Sequence, residues 1–168
     1  MNAGQTCIAV DYVVVQESVK DALLAAMTKE IGKRYPHAEK SDAYPSIINQ
    51  RHYDRLIGLM KTESSLIGGA VNAEKRRIAP TLMPEADFDH PIMEDEIFGP
   101  LLPIIAVKDM QNAVAHIKTL PNPLACYVFT ENKAVAEAVI ANLSFGGGCI
   151  NDTLLHVTNP NLPWRGGK

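Results

Sequence analysis

Cysteine is scarce: Cys7, Cys126 and Cys149 are the only three in 168 residues. So odd and sparse a count argues against a disulfide framework and suits a reducing compartment. Basic charge is thin as well, with 16 Lys+Arg against 19 Asp+Glu and a net charge of −3. The densest basic stretch, Lys75-Arg76-Arg77, reads as a solvated turn, and nothing resembles the basic stripe that nucleic-acid binding needs. No apolar run approaches the ~20 residues that span a bilayer. The N-terminus lacks a basic segment followed by an apolar one, so no signal peptide is visible. His37, His52, His90, His116 and His156 are scattered, and none stands at metal-ligand spacing from a Cys or carboxylate. No H-E-x-x-H occurs, so no metal is expected. The expectation is a cytoplasmic protein without membrane segment or nucleic-acid partner.

Hydrophobic residues make up 46% and charged residues 21%, which suits a globular domain of ordinary size. Strand and helix signals alternate. Residues 11–15 end in three β-branched valines and read as a strand. Ser18 offers an N-cap for a helix with Val19, Leu23, Ala26, Met27 and Ile31 at helical spacing, ending before Pro36. A loop over 37–46 precedes a second helix with Tyr53, Leu56, Ile57 and Met60 on one face. Residues 65–69 and 78–82 are short strand candidates. Residues 84–91 read as an exposed connection.

Residues 101–107 read as a buried strand. Asp109 can cap a helix with Ala113, Val114 and Ile117 inside, closed by Pro121 and Pro123. Residues 125–130 form another strand candidate. Asn132 can cap a helix through Val135, Ala136, Val139, Ile140 and Leu143. Gly146-Gly147-Gly148 would stop that helix before a last strand at Cys149-Ile150-Asn151. The alternation predicts an α/β layered domain with a mostly parallel sheet. No repeat and no domain boundary divides it.

Three clusters could carry chemistry. Cys7 follows Gly4-Gln5-Thr6, and Gly4 allows close approach and unusual dihedrals. A nucleophilic cysteine needs an exposed thiolate that substrate can reach; taken alone, a cysteine near a terminus is more often a structural or incidental thiol. In Glu94-Asp95-Glu96-Ile97-Phe98-Gly99-Pro100, Glu96 can accept from ribose hydroxyls and Phe98 can pack on a flat ring. The plain alternative is an acidic loop leading into a strand. The run Gly146-Gly147-Gly148-Cys149-Ile150-Asn151-Asp152 is not a G-x-G-x-x-G fingerprint, and Cys149 reads as a small buried side chain. His52 and His116 fall within helices and read as packing or surface residues.

Together these segments resemble the aldehyde dehydrogenase superfamily. Asn2-Ala3-Gly4-Gln5-Thr6-Cys7-Ile8-Ala9, followed by Asp11-Tyr12-Val13, is similar to its cysteine motif. Glu96-Ile97-Phe98-Gly99-Pro100 is similar to its second signature, in the right order and separation. Residues 47–52, 124–129 and 151–156 look like the class 3 branch, which includes fatty, aromatic and coniferyl aldehyde dehydrogenases.

The resemblance implies NAD- or NADP-dependent oxidation of an aldehyde to a carboxylic acid. Cys7 would be the nucleophile, passing through a thiohemiacetal and a thioester, and its backbone N–H would be half of an oxyanion hole. Glu96 would hold the nicotinamide ribose and Phe98 would pack near the nicotinamide. Residues 1–168 would be a partial catalytic domain. The family's cofactor domain, general-base Glu and oxyanion-hole amide would lie upstream, and an oligomerisation strand further on. Val10 stands where the family usually has Pro, and residues 162–168 depart from its pattern. The chain by itself is then expected to be inactive. It would act within a homo-oligomer, with a separately encoded N-terminal half, or as a non-catalytic interaction module.

Overall fold

In the computed structural model, which describes residues 2–161, strand β1 (Val13–Gln16) runs directly into helix α1 (Glu17–Arg34). Gln16 occupies the N-cap without a side-chain hydrogen bond. Ser18, expected as the cap, therefore lies inside the helix. The helix stops at Arg34, before Pro36, as the proline requires. No α1 residue is buried, and Val19 of its expected apolar face is exposed.

Helix α2 (Gln50–Met60) has the Asn49 carbonyl oxygen Oδ1 accepting from the His52 amide at 2.8 Å, an N-cap that fixes where the helix begins. Its buried face is Tyr53, Leu56 and Met60. The strand candidates at 65–69 and 78–82 are displaced. A two-stranded antiparallel pair forms from β2 (Val71–Asn72) and β3 (Arg77–Ile78), while β4 (Thr81–Met83) joins a parallel sheet. Residues 65–69 contribute one isolated bridge, Ile67 to Leu82.

β5 (Leu101–Val107) is the centre of a three-stranded sheet of order β1-β5-β4, parallel throughout. A proline in a central strand normally costs a ladder bond. Here Pro103 sits where β5 changes neighbours: residues 101–103 pair with β4 and residues 104–107 with β1. The core of this part gathers Ile47, Tyr53, Leu56, Met60, Ile78, Met83, Ile92, Ile97 and Leu101. The connection over 84–91 is not wholly exposed, since Pro84 and Ala86 are buried. The Lys75-Arg76-Arg77 turn is also more than solvated charge. Arg77 is 7% exposed, and it donates to the Asp42 carboxylate at 3.0 Å beside Lys75 at 2.8 Å.

Residues 2–6 and 10–108 form one compact unit; Cys7–Ala9 and residues 109–161 form a second. The second contains α3 (Met110–Ile117), β6 (Ala125–Val128), α4 (Lys133–Asn142) and β7 (Gly147–Ile150). Both expected caps are present: Asp109 accepts from Gln111, and Asn132 from Ala134 and Val135. β6 and β7 pair in parallel across α4, a βαβ arrangement. Gly147 and Gly148 do not end the helix, as the glycine run suggested; they are strand residues. A Cβ on Gly148 would lie 2.1 Å from the Cys126 carbonyl oxygen, which excludes a side chain there. The architecture is α/β with parallel pairing in both larger sheets. The departures read in residues 162–168 lie outside the described residues.

Candidate active site

The cysteine loop begins with an unusual backbone. Asn2, Ala3 and Gly4 all have positive φ, at 49°, 48° and 74°, a left-handed turn that only Gly adopts freely. Gln5 holds the turn in place. Its side-chain amide donates to the Asn2 carbonyl at 3.1 Å and the Ser46 carbonyl at 3.2 Å, and its Oε1 accepts from the Ile48 amide at 2.9 Å. Gln5 is 8% exposed, so these bonds satisfy a buried amide. Asn2 returns a bond from its own side chain to the Gln5 carbonyl at 3.0 Å. The glutamine of the motif is thus a structural brace.

The second signature is held from three directions. The Ile97 amide donates to the Asp11 carboxylate at 3.0 Å. Arg55 of α2 donates to the Ile97 carbonyl, and the His52 ring Nε2 lies 2.7 Å from the Phe98 carbonyl oxygen. Because Asn49 fixes the first turn of α2, His52 and Arg55 sit one turn apart on the side facing this loop. Phe98 itself has φ 49°, and its ring meets that of His52 edge-on at 6.3 Å. Burial pushes the Asp11 carboxyl above the ordinary carboxylate range, reinforced by the Glu96 charge. The Ile97 and Phe98 amides and Arg55 oppose that shift. Glu96 is exposed and Phe98 half-buried, so the carboxylate and the ring are both presented by a fixed backbone.

In the other unit, Cys7 is exposed. The next residue, Ile8, is buried, and its carbonyl accepts from the Tyr127 hydroxyl of β6 at 2.8 Å. Burial raises the Tyr127 hydroxyl above its usual value, against a backbone hydrogen bond from Leu154. The Tyr127 side chain therefore links the cysteine segment, through Ile8, to the chain that follows β7, through the His156 ring. Cys126 is half-buried, and burial pushes its thiol up. Cys149 is half-buried rather than core, with Sγ 3.7 Å from His156 Nδ1.

Of the residues singled out from sequence, Glu96 and Phe98 share one loop and Cys7 lies in the other unit. Asp11, His52, Arg55 and Tyr127 were not singled out for the site, although Asp11 stands within the segment that resembles the cysteine motif. Among the described residues, no group of three His, Cys, Asp or Glu side chains could hold a metal ion. Among them too, no helix is long and apolar enough to cross a membrane.

The family model described as Aldehyde dehydrogenase family matches residues 1–168. Over 168 residues the chain is 45% identical to the 4,4'-diaponeurosporen-aldehyde dehydrogenase of Staphylococcus aureus, a match covering 98% of this chain and 37% of that protein. It is 38% identical over 166 residues to aldehyde dehydrogenase family 3 member B1 of Rattus norvegicus, covering 98% of this chain and 36% of that protein. The solved substrate-bound state of Staphylococcus aureus AldH is similar with a TM-score of 0.93 and 43% identity, over 98% of this chain and 36% of that one. The chain thus spans little more than a third of these relatives. It belongs to the aldehyde dehydrogenase family, with class 3 members among its relatives.

Proposed function

We propose that these residues supply the nucleophile-bearing part of an NAD- or NADP-dependent aldehyde dehydrogenase that oxidises an aldehyde to a carboxylic acid. The observation that carries the reading is the exposed Cys7 following a left-handed turn braced by a buried glutamine. A backbone held this firmly presents thiol and amide together. The Cys7 Sγ adds to the aldehyde carbon, and its backbone N–H stabilises the oxyanion of the thiohemiacetal. Oxidation of that adduct leaves a thioester on Cys7, which water hydrolyses to the acid.

The cofactor's chemistry fits the second signature. Glu96 offers an exposed carboxylate to accept from a ribose diol, and Phe98 a ring to pack on the nicotinamide. Bound NAD(P) would supply the hydride acceptor. No dinucleotide fingerprint occurs in these 168 residues. We therefore expect these 168 residues, taken by themselves, to turn over little aldehyde.

Aldehyde protection tests the assignment on the chain itself. A saturating aldehyde should slow iodoacetamide labelling of Cys7 and leave Cys126 unchanged, as read by peptide mass spectrometry. Equal labelling of Cys7 with and without aldehyde would overturn it. A second reading, a non-catalytic interaction module, is favoured by α1, which buries none of its residues within this chain. Labelling of Cys7 no faster than Cys126 would support that reading instead.

A further inference from the structure

The glycine-rich run at 146–152 takes no part in the proposed oxidation, yet it builds a second thiol site. Cys149 lies on β7 with its Sγ 3.7 Å from Nδ1 of His156, within the range of a sulfur hydrogen bond. His156 is held in turn. Its ring tilts against Tyr127 at a centroid distance of 5.8 Å, and Leu154 two residues earlier takes a left-handed φ of 66°. Gly147 makes room for it, since a Cβ there would lie 2.6 Å from His156 Cδ2. A thiol, a base within reach and a group orienting the base are the parts of an activated nucleophile.

Cys126 provides an internal comparison. It lies on β6, paired with β7, and is half-buried like Cys149. Exposure alone predicts similar reactivity for the two. The difference between them is the imidazole: Cys149 has one, while burial alone acts on Cys126.

We propose that Cys149, with His156 as its base, is a second nucleophilic thiol that adds α,β-unsaturated carbonyl compounds by conjugate addition. With the ring proton on Nε2, His156 Nδ1 accepts the thiol proton as Sγ bonds to the β-carbon. The π pair moves to the carbonyl oxygen as an enolate. The imidazolium then returns the proton to the α-carbon, so the net change is addition of S–H across C=C with no oxidant. This addition is a different reaction from the thioester chemistry assigned to Cys7 and does not depend on it.

The test is N-ethylmaleimide labelling of the native chain, with the rate at each cysteine read by peptide mass spectrometry. Cys149 should label about tenfold or more faster than Cys126, because a base within reach of the thiol takes up its proton as the S–C bond forms. His156→Asn should slow Cys149 several-fold and leave the Cys126 and Cys7 rates where they were. Labelling of Cys149 as slow as Cys126 in the unmodified chain overturns the proposal before any variant is made. So does a His156→Asn variant that labels Cys149 at the original rate, or one that accelerates all three cysteines together through loosened packing. Cys7 is read separately in the same digest, so the proposed oxidation chemistry stands or falls apart from this result.

Discussion

Gly4 and Gly99 meet backbone to backbone: a Cβ built on Gly4 would lie 2.1 Å from the Gly99 carbonyl oxygen. Gly99 is in turn pressed on Leu56 of α2, where a Cβ would lie 2.6 Å from Cδ2. The turn before the cysteine and the loop carrying Glu96 and Phe98 are therefore packed as one piece, with no room for a side chain at the join. Gly4 and Gly99, 95 residues apart in sequence (from 4 to 99), are thus direct neighbours in space.

Gly4→Ala follows directly. The substitution places a Cβ both at φ 74° and against a carbonyl oxygen. Left-handed strain alone costs about 1–3 kcal/mol, and the collision adds to it. We expect a clear fall in Tm and a changed rate of Cys7 alkylation. Unaltered Tm and alkylation would mean that the two loops can separate freely.

Gln5→Ala removes three hydrogen bonds and leaves the Ser46 carbonyl and Ile48 amide without that partner. Ile48 is exposed and Ser46 half-buried, so water can replace part of what is lost; at a net worth of about 0.5–1.5 kcal/mol for each hydrogen bond, a clear loss of stability is expected in denaturant unfolding. Gln5→Glu keeps the acceptor for Ile48 but cannot donate to the carbonyls. It should fall between the alanine variant and the original chain once its own burial is counted. A Gln5→Ala chain with unchanged stability would contradict the brace.

Local signals were legible in the sequence and distant ones were not. Asp109 and Asn132 cap their helices as expected because a cap bonds amides two or three residues away. The apolar run 101–107 announced the central strand by composition alone. Asp11 gave no such sign: the amide it accepts from lies 86 residues on. His52 read as a packing or surface residue and Arg55 drew no reading, because their targets, the Phe98 and Ile97 carbonyls, belong to a loop more than 40 residues later. The triple glycine misled for the same reason. Gly148 is required by the Cys126 carbonyl on a paired strand, a contact that helix-stop rules do not contain. Ser18 lost the cap to Gln16 because β1 enters α1 without a loop. Cys7, Glu96 and Phe98 were found through motif resemblance, and the side chains that fix their backbones came from tertiary structure.

Tyr127→Phe deletes the hydroxyl that reaches the Ile8 carbonyl and keeps the ring against His156. The stability cost should be about 0.5–1.5 kcal/mol, that of one net hydrogen bond. The informative reading is at Cys7, whose alkylation rate should change while that of Cys126 does not. If Cys7 reacts as before, the phenol supports the fold without positioning the nucleophile.

Asp11→Asn probes the pH dependence of the second signature. Burial is the largest influence on Asp11 and raises its carboxyl above 3.8. A raised value means that the folded chain holds this proton more tightly than the unfolded chain does. The stability contributed by the protonated form is complete below the unfolded value and is lost as pH rises through the folded one. At neutral pH the original chain therefore carries the cost of a buried carboxylate, partly offset by the Ile97 amide and Arg55. Asparagine does not ionise, and its side-chain oxygen can still accept from Ile97. The Tm of Asp11→Asn relative to the original chain should therefore rise between about pH 3 and about pH 7. Thermal unfolding of both chains across that range measures the difference. An offset that stays constant would remove the burial penalty from the account, and one that falls toward neutral pH would show the hydrogen bond to the ionised form outweighing it.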